Sequence, residues 1–106
     1  MEFNCKKISV TDSGIGVEIY FQNLNENNDS YFLIQRHFDE YDNSSYIESH
    51  IEDLIGHFRP KIKLSKTKCE FEYDKKQVTI NYQITEKKFE EIKEVINALG
   101  TVEIKK

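Results

Sequence analysis

Apolar residues recur along this chain mainly at a period of two, the spacing that turns one face of a strand toward a core. Phe3 and Cys5 alternate with polar neighbours, and Ile8 and Val10 then alternate in the opposite register. This predicts one strand with an irregularity near Lys6-Lys7, such as a bulge. Ser13-Gly14 marks a turn, after which Ile15, Val17, Ile19 and Phe21 keep a strict period of two. The two segments read as a hairpin. Asn23 to Ser30 reads as a polar loop, Tyr31 to Phe38 as a central strand, and Asp39 to Ser45 as a second polar loop.

The segment Tyr46 to Phe58 admits two readings. Tyr46-Ile47-Glu48 fits a short strand. Ile47, Ile51, Leu54 and Ile55 fit a helical stripe, with Ser45 and Glu48 as a capping box and Gly56 as a stop. Beyond it, Phe58, Pro60, Ile62 and Leu64 alternate with Arg59, Lys61 and Lys63. That predicts an amphipathic strand with a basic wet face. Pro60 has no N–H to donate, so it belongs at a strand start or an edge. Cys69, Phe71 and Tyr73, then Val78, Ile80, Tyr82 and Ile84, form a hairpin closed tightly by Asp74 to Gln77.

Thr85 can cap a helix, with Glu86 favourable to the dipole in its first turn. The stripe Phe89, Ile92, Val95, Ile96 and Leu99 ends at Gly100, and Val102 and Ile104 make a short last strand. The expected class is therefore α+β: a mostly antiparallel sheet of six to seven strands with one C-terminal amphipathic helix packed on one face.

Length and composition narrow this picture. A chain of 106 residues has room for one ordinary core, so a single domain over residues 1–106 is expected. With 38% apolar residues in organised runs, it is a folding sequence. A net charge of −4 makes nucleic acid an unlikely partner by default, since phosphate contacts need a cationic surface. No apolar run is long enough to span a bilayer and no signal-peptide pattern opens the chain, so a cytoplasmic protein with no membrane partner is expected. In that compartment Cys5 and Cys69 are expected as free, half-buried thiols.

The charge is unevenly spread. His37 to Phe58 holds six acids and no Lys or Arg, whereas Arg59 to Lys68 holds five bases and no acid. Searching for chemistry within this pattern returns little. The three histidines form no HxH or HxxxH pair and there is no CxxC, so no metal or other cofactor is expected. No GxSxG turn and no glycine-rich phosphate loop is present, so an enzyme is not expected. Phe58, Phe71 and Tyr73 beside the basic strand have the composition of a base-stacking surface, but they fall on positions expected to be core.

Tyr20 projects opposite the apolar face of its own strand. Exposed tyrosine beside carboxylates suits a protein interface, because it offers contact area at low entropic cost. The candidate partner surface is Asp39, Glu40, Tyr41, Asp42, Tyr46, Glu48, Glu52 and Asp53.

Tyr31 to Glu48, YFLIQRHFDEYDNSSYIE, resembles immunity protein family ten of bacterial polymorphic toxin systems. The likeness lies in an apolar strand ending in Gln35-Arg36, an acidic loop, and a Tyr46-Ile47-Glu48 strand. The order of later elements is also similar, down to the helix ending in Leu99-Gly100. The sequence departs from that pattern at Gly56-His57-Phe58, where the family carries Gly-Gly. The resemblance implies a small non-catalytic protein that neutralises a cognate toxin by occluding it. The residues themselves leave open a homodimeric interaction module joined at a sheet edge, and less favourably a small nucleic-acid or ligand-binding domain.

Overall fold

The computed structural model describes residues 1–25, 28–39 and 43–105. Five strands follow one another as an antiparallel meander: β2 (Lys7–Asp12), β3 (Gly16–Asn25), β4 (Asn28–His37), β5 (Ser45–Ser49) and β6 (Gly56–Phe58). A second, mixed sheet holds β1 (Glu2–Asn4), β7 (Lys61–Leu64), β8 (Lys68–Tyr73), β9 (Lys76–Asn81) and β10 (Thr101–Ile104) in the order β1-β9-β8-β7-β10. The class is α+β as expected, but the single sheet of six to seven strands is corrected to two sheets of five.

The reason lies at two corners where the chain changes sheet. Cys5 N–H donates to the Asn81 carbonyl of β9 at 2.7 Å, and Lys6 N–H donates to the Gln22 carbonyl of β3 at 2.8 Å. One peptide step thus leaves the mixed sheet and enters the meander. The register inversion between Phe3/Cys5 and Ile8/Val10 is this crossing, not a bulge within one strand. The second corner is Arg59-Pro60, between β6 and β7. Pro60 has no N–H to give either sheet, and its carbonyl accepts from Thr101 N–H at 2.9 Å.

The inner faces of the sheets meet through rings. Phe71 of β8 lies 4.6 Å from Phe32 of β4 and 5.9 Å from Phe21 of β3, centroid to centroid. Tyr82 stacks on Phe21 at 6.4 Å. Phe71 and Tyr73 are therefore core, as their alternation predicts, and Phe58 is half-buried against them. Cys5 and Cys69 are buried free thiols, and burial pushes both pKa values up.

The helix α1 (Glu86–Ile96) starts where expected, with the Thr85 hydroxyl accepting from Lys88 N–H at 3.1 Å. It buries Phe89, Ile92, Val95 and Ile96 in the common core and lies against β2 and β3. It is also a crossover, because β9 and β10 run parallel on either side of β8 and β7. The meander holds the far end of this crossover. Arg36 Nη1 donates to the Ala98 carbonyl at 2.9 Å, the Ser45 hydroxyl to the Leu99 carbonyl at 2.7 Å, and Arg59 Nη2 to the Gly100 carbonyl at 3.4 Å. The carbonyls after a helix have no partner within it, and two cations here complement its dipole.

Residues 45–58 resolve as strand, 3-10 turn (Glu52–Leu54) and strand. The capping box does not form. Ser45 spends its hydroxyl on Leu99, and Ile47 is fully buried between outward Tyr46 and Glu48. The expected loop Asn23 to Ser30 is mostly ladder, since β3 and β4 pair out to Asn25 and Asn28, and residues 26 and 27 lie outside the described residues. Ile15 is not on the apolar face of β3. It sits in the turn, 70% exposed.

Three of the edge strands are short, with three residues in β1 and β6 and four in β10, whereas β2 has six, an ordinary strand length. Short edges offer little template for a further strand. Among the described residues no helix is long and apolar enough to cross a membrane.

Candidate functional site

Strand parity decides what the meander shows to solvent. With Val17, Ile19 and Phe21, Phe32 and Ile34, and Ile47 turned inward, the outward positions of β3, β4 and β5 include Glu18, Tyr20, Tyr31, Leu33, Gln35, Tyr46 and Glu48. The antiparallel register aligns them in rows: Tyr20 faces Leu33, which faces Glu48, and Glu18 faces Gln35, which faces Tyr46, which faces His57 of β6. Tyr20, Tyr31, Leu33 and Tyr46 are half-buried on this outer face, and His57 is exposed.

Glu48 is the centre of this face. The Tyr46 hydroxyl donates to its Oε1 at 2.8 Å, and the Tyr31 hydroxyl donates to its Oε2 at 3.3 Å. The hydrogen bond to Glu48 is the main cause that raises the Tyr46 pKa. For Tyr31 burial comes first and the carboxylate second. Both phenols therefore stay protonated, as donors, at neutral pH. The aromatic surface continues outward, with Tyr20 edge-on to Tyr31 at 6.0 Å and His57 at 5.4 Å from Tyr46. His50 closes one side, its Nδ1 3.1 Å from Tyr31 N–H and its ring 6.1 Å from that of Tyr31.

The eight residues proposed from sequence divide. Tyr46 and Glu48 lie at the middle of the tyrosine face. Asp39 is exposed just past the end of β4. Glu40, Tyr41 and Asp42 lie outside the described residues. Glu52 and Asp53 belong to the 3-10 turn, which is tied to the other sheet: Tyr73 donates to the Leu54 carbonyl at 3.1 Å, and Lys76 donates to the Asp53 carbonyl. Tyr31, Leu33, Gln35 and His57 were missed. Period-two alternation within Tyr31 to Phe38 marks Tyr31 and Leu33 as facing away from Phe32 and Ile34, but a nearly continuous apolar run masks that signal.

The basic wet face of β7 forms as expected, with Lys61 and Lys63 exposed over buried Ile62 and Leu64, but the neighbouring strands set carboxylates beside it. Lys61 stands opposite Glu72, and Lys63 stands between Glu70 of β8 and Glu103 of β10. Among the described residues no group of His, Cys, Asp or Glu could hold a metal ion.

Compared with known proteins, the chain matches no family model, no curated protein and no solved structure. The resemblance to the immunity family thus rests on Tyr31 to Glu48 and the order of elements alone.

Proposed function

We propose that this chain is a non-catalytic binding protein that neutralises a cognate bacterial toxin in the cytoplasm by covering it, with the outer face of the meander as its contact surface. One observation carries the reading. Tyr20, Tyr31, Leu33 and Tyr46 form a contiguous half-buried surface, held around one carboxylate, on the side of the sheet turned away from the core. Aromatic anchors with a polar tip are what interface centres are made of. The segment that resembles the immunity family, Tyr31 to Glu48, supplies two of the strands that build this surface. At the β6 edge of the meander, only three residues long, contact through the face is favoured over edge-to-edge pairing.

The test is to search the genes beside this one for a toxic domain and to follow its binding to this chain by calorimetry; the absence of any such neighbour would count against the proposal. A stoichiometric complex is expected, and Tyr46→Ala should weaken it by roughly 30-fold or more, the loss of a central anchor. Glu72→Ala, on the opposite outer face, should leave it unchanged. A complex indifferent to Tyr46→Ala but sensitive to Glu72→Ala would move the contact to the wrong sheet and end the proposal.

A further inference from the structure

We infer that Glu48, between Tyr31 and Tyr46, is a socket for one arginine side chain of the protein partner. The inference deepens the toxin-binding reading and rests on it.

The first argument is valence. A carboxylate oxygen has two acceptor positions. Oε1 gives one to Tyr46 and Oε2 gives one to Tyr31. Each oxygen therefore keeps a free position, and the pair is held in place by donors from two different strands. A guanidinium presents two parallel N–H groups that match such a pair, whereas an ammonium presents a point charge. The phenols fix the carboxylate before anything binds, which lowers the ordering cost of the contact.

Charge is the second argument. Among the described residues Glu48 makes no ion pair, and the outward positions across 18–22, 31–37 and 46–48 hold two carboxylates, Glu18 and Glu48, with no Lys or Arg. Arg36 of β4 is turned to the other side, onto Ala98. The centre of the face, on β3 to β5, is thus anionic and complementary to a cation, and Lys7, which shares the face, lies opposite Gln22 on the edge strand β2, three strands from Glu48. The third argument is the ring environment. Two tyrosines border the carboxylate, and a guanidinium lying there gains their π-faces as well. A divalent ion is a poorer fit, because it demands several charged or carbonyl oxygens and finds one carboxylate.

The socket can be read without the toxin. N-acetyl-arginine-amide and Nα-acetyl-lysine-amide are titrated into the protein while backbone amide shifts are followed by NMR. Saturable shifts at Tyr31, Tyr46 and Glu48 are expected, tighter for the arginine probe. Glu48→Gln should abolish them. Glu48→Asp, which withdraws the carboxylate by one methylene, should erase the preference for arginine. Equal binding of both probes, or shifts that survive Glu48→Gln, would overturn the socket.

In the complex, Glu48→Gln should cost roughly 30-fold or more in affinity, as for a desolvated charge pair. A toxin that needs Tyr46 but tolerates Glu48→Gln would sink the socket and keep the binding face. Arginine shifts that depend on Glu48, with no toxin bound, would support the socket and remove the toxin from the proposal.

Discussion

Arg36→Ala tests whether Arg36, half of the Gln35-Arg36 pair that carries part of the family resemblance, acts as a structural clamp. The guanidinium reaches from β4 to the end of the crossover helix, with Nη1 2.9 Å from the Ala98 carbonyl. Nη2 lies 3.4 Å from Asn43 Oδ1, a long contact that adds little. The group also sits 5.8 Å over the exposed Phe38 ring. A hydrogen bond from a charged donor contributes about 1.5–3 kcal/mol. The cation–π contact at an exposed site adds about 0.5 kcal/mol. Against this, Nε is buried with no hydrogen-bond partner, and removing the side chain relieves that cost of about 1 kcal/mol. The net expectation is a loss of about 2 kcal/mol.

Urea denaturation measures it as a lowered midpoint at unchanged slope. In a domain of this size the same loss lowers Tm by roughly 10 °C. The neighbouring bond from the buried Ser45 hydroxyl to Leu99, 2.7 Å long, supports the same turn. The Arg36→Ala/Ser45→Ala cycle should therefore show coupling above about 0.5 kcal/mol. A loss below about 0.5 kcal/mol for Arg36→Ala, with additive double-mutant behaviour, would refute the clamp.

Three further outcomes follow from the core and its turns. Phe71→Ala removes the ring between Phe21 and Phe32 and should cost about 3–5 kcal/mol by chemical denaturation; a cost below 1 kcal/mol would mean the sheets do not meet there. Gly100→Ala would set a Cβ inside contact distance of the Pro60 carbonyl oxygen and 2.9 Å from Ile62 Cδ1, so a loss of about 1–3 kcal/mol is expected in the same assay. Burial raises the Tyr73 pKa to about 12 and pushes Tyr82 up as well. A phenol whose folded pKa lies above its unfolded one stabilises fully below about pH 10, and loses that contribution as pH rises through the folded value. Ultraviolet titration should thus show Tyr73 and Tyr82 ionising only as the protein unfolds, above pH 10; reversible ionisation of all six tyrosines near pH 10 would contradict the burial.

Much of the local structure was legible, and the assembly was not. Alternation located the strands around Val17–Phe21, Cys69–Tyr73 and Val78–Ile80, and the Thr85 cap fixed the start of the helix, because these signals act within a few residues; the helix end came at Ile96 with Asn97 as the cap, four residues before the expected stop at Gly100. The closure at Asp74-Lys75 was also local, and both residues take the positive φ of a two-residue hairpin, 48° and 61°. Sheet membership depends on pairing partners far away in sequence, and no periodicity carries it. The Cys5-Lys6 crossing left a trace, the inverted register, which fits a bulge equally well. Residues 45–58 failed as a sequence problem because Ile47 and Ile51 satisfy both periods and Leu54 extends the helical one, and the decision was taken by contacts with Leu99 and Tyr73. Within the candidate site, Tyr46 and Glu48 were found by composition. Tyr31 and Leu33 come to them only through the β4–β5 register.

The same register explains why one outer face is better suited to a partner than the other. On the mixed sheet each outward Lys of β7 is matched across the strands, Lys63 by a carboxylate on both sides, and Lys68 pairs with Glu70 at 3.4 Å. A partner covering that face must desolvate charges already compensated, and it regains little unless it offers equally good geometry. On the meander, the outward positions around Glu48 hold the rings of Tyr20, Tyr31 and Tyr46 and the side chain of Leu33. Covering them removes apolar surface from water while the hydroxyls keep their bonds to Glu48. At the centre of the tyrosines the group that must be answered on burial is the Glu48 carboxylate, while Glu18 lies one row away opposite Gln35. That demand converts a sticky surface into a selective one, because a partner without a cation at that point leaves a buried charge unpaired.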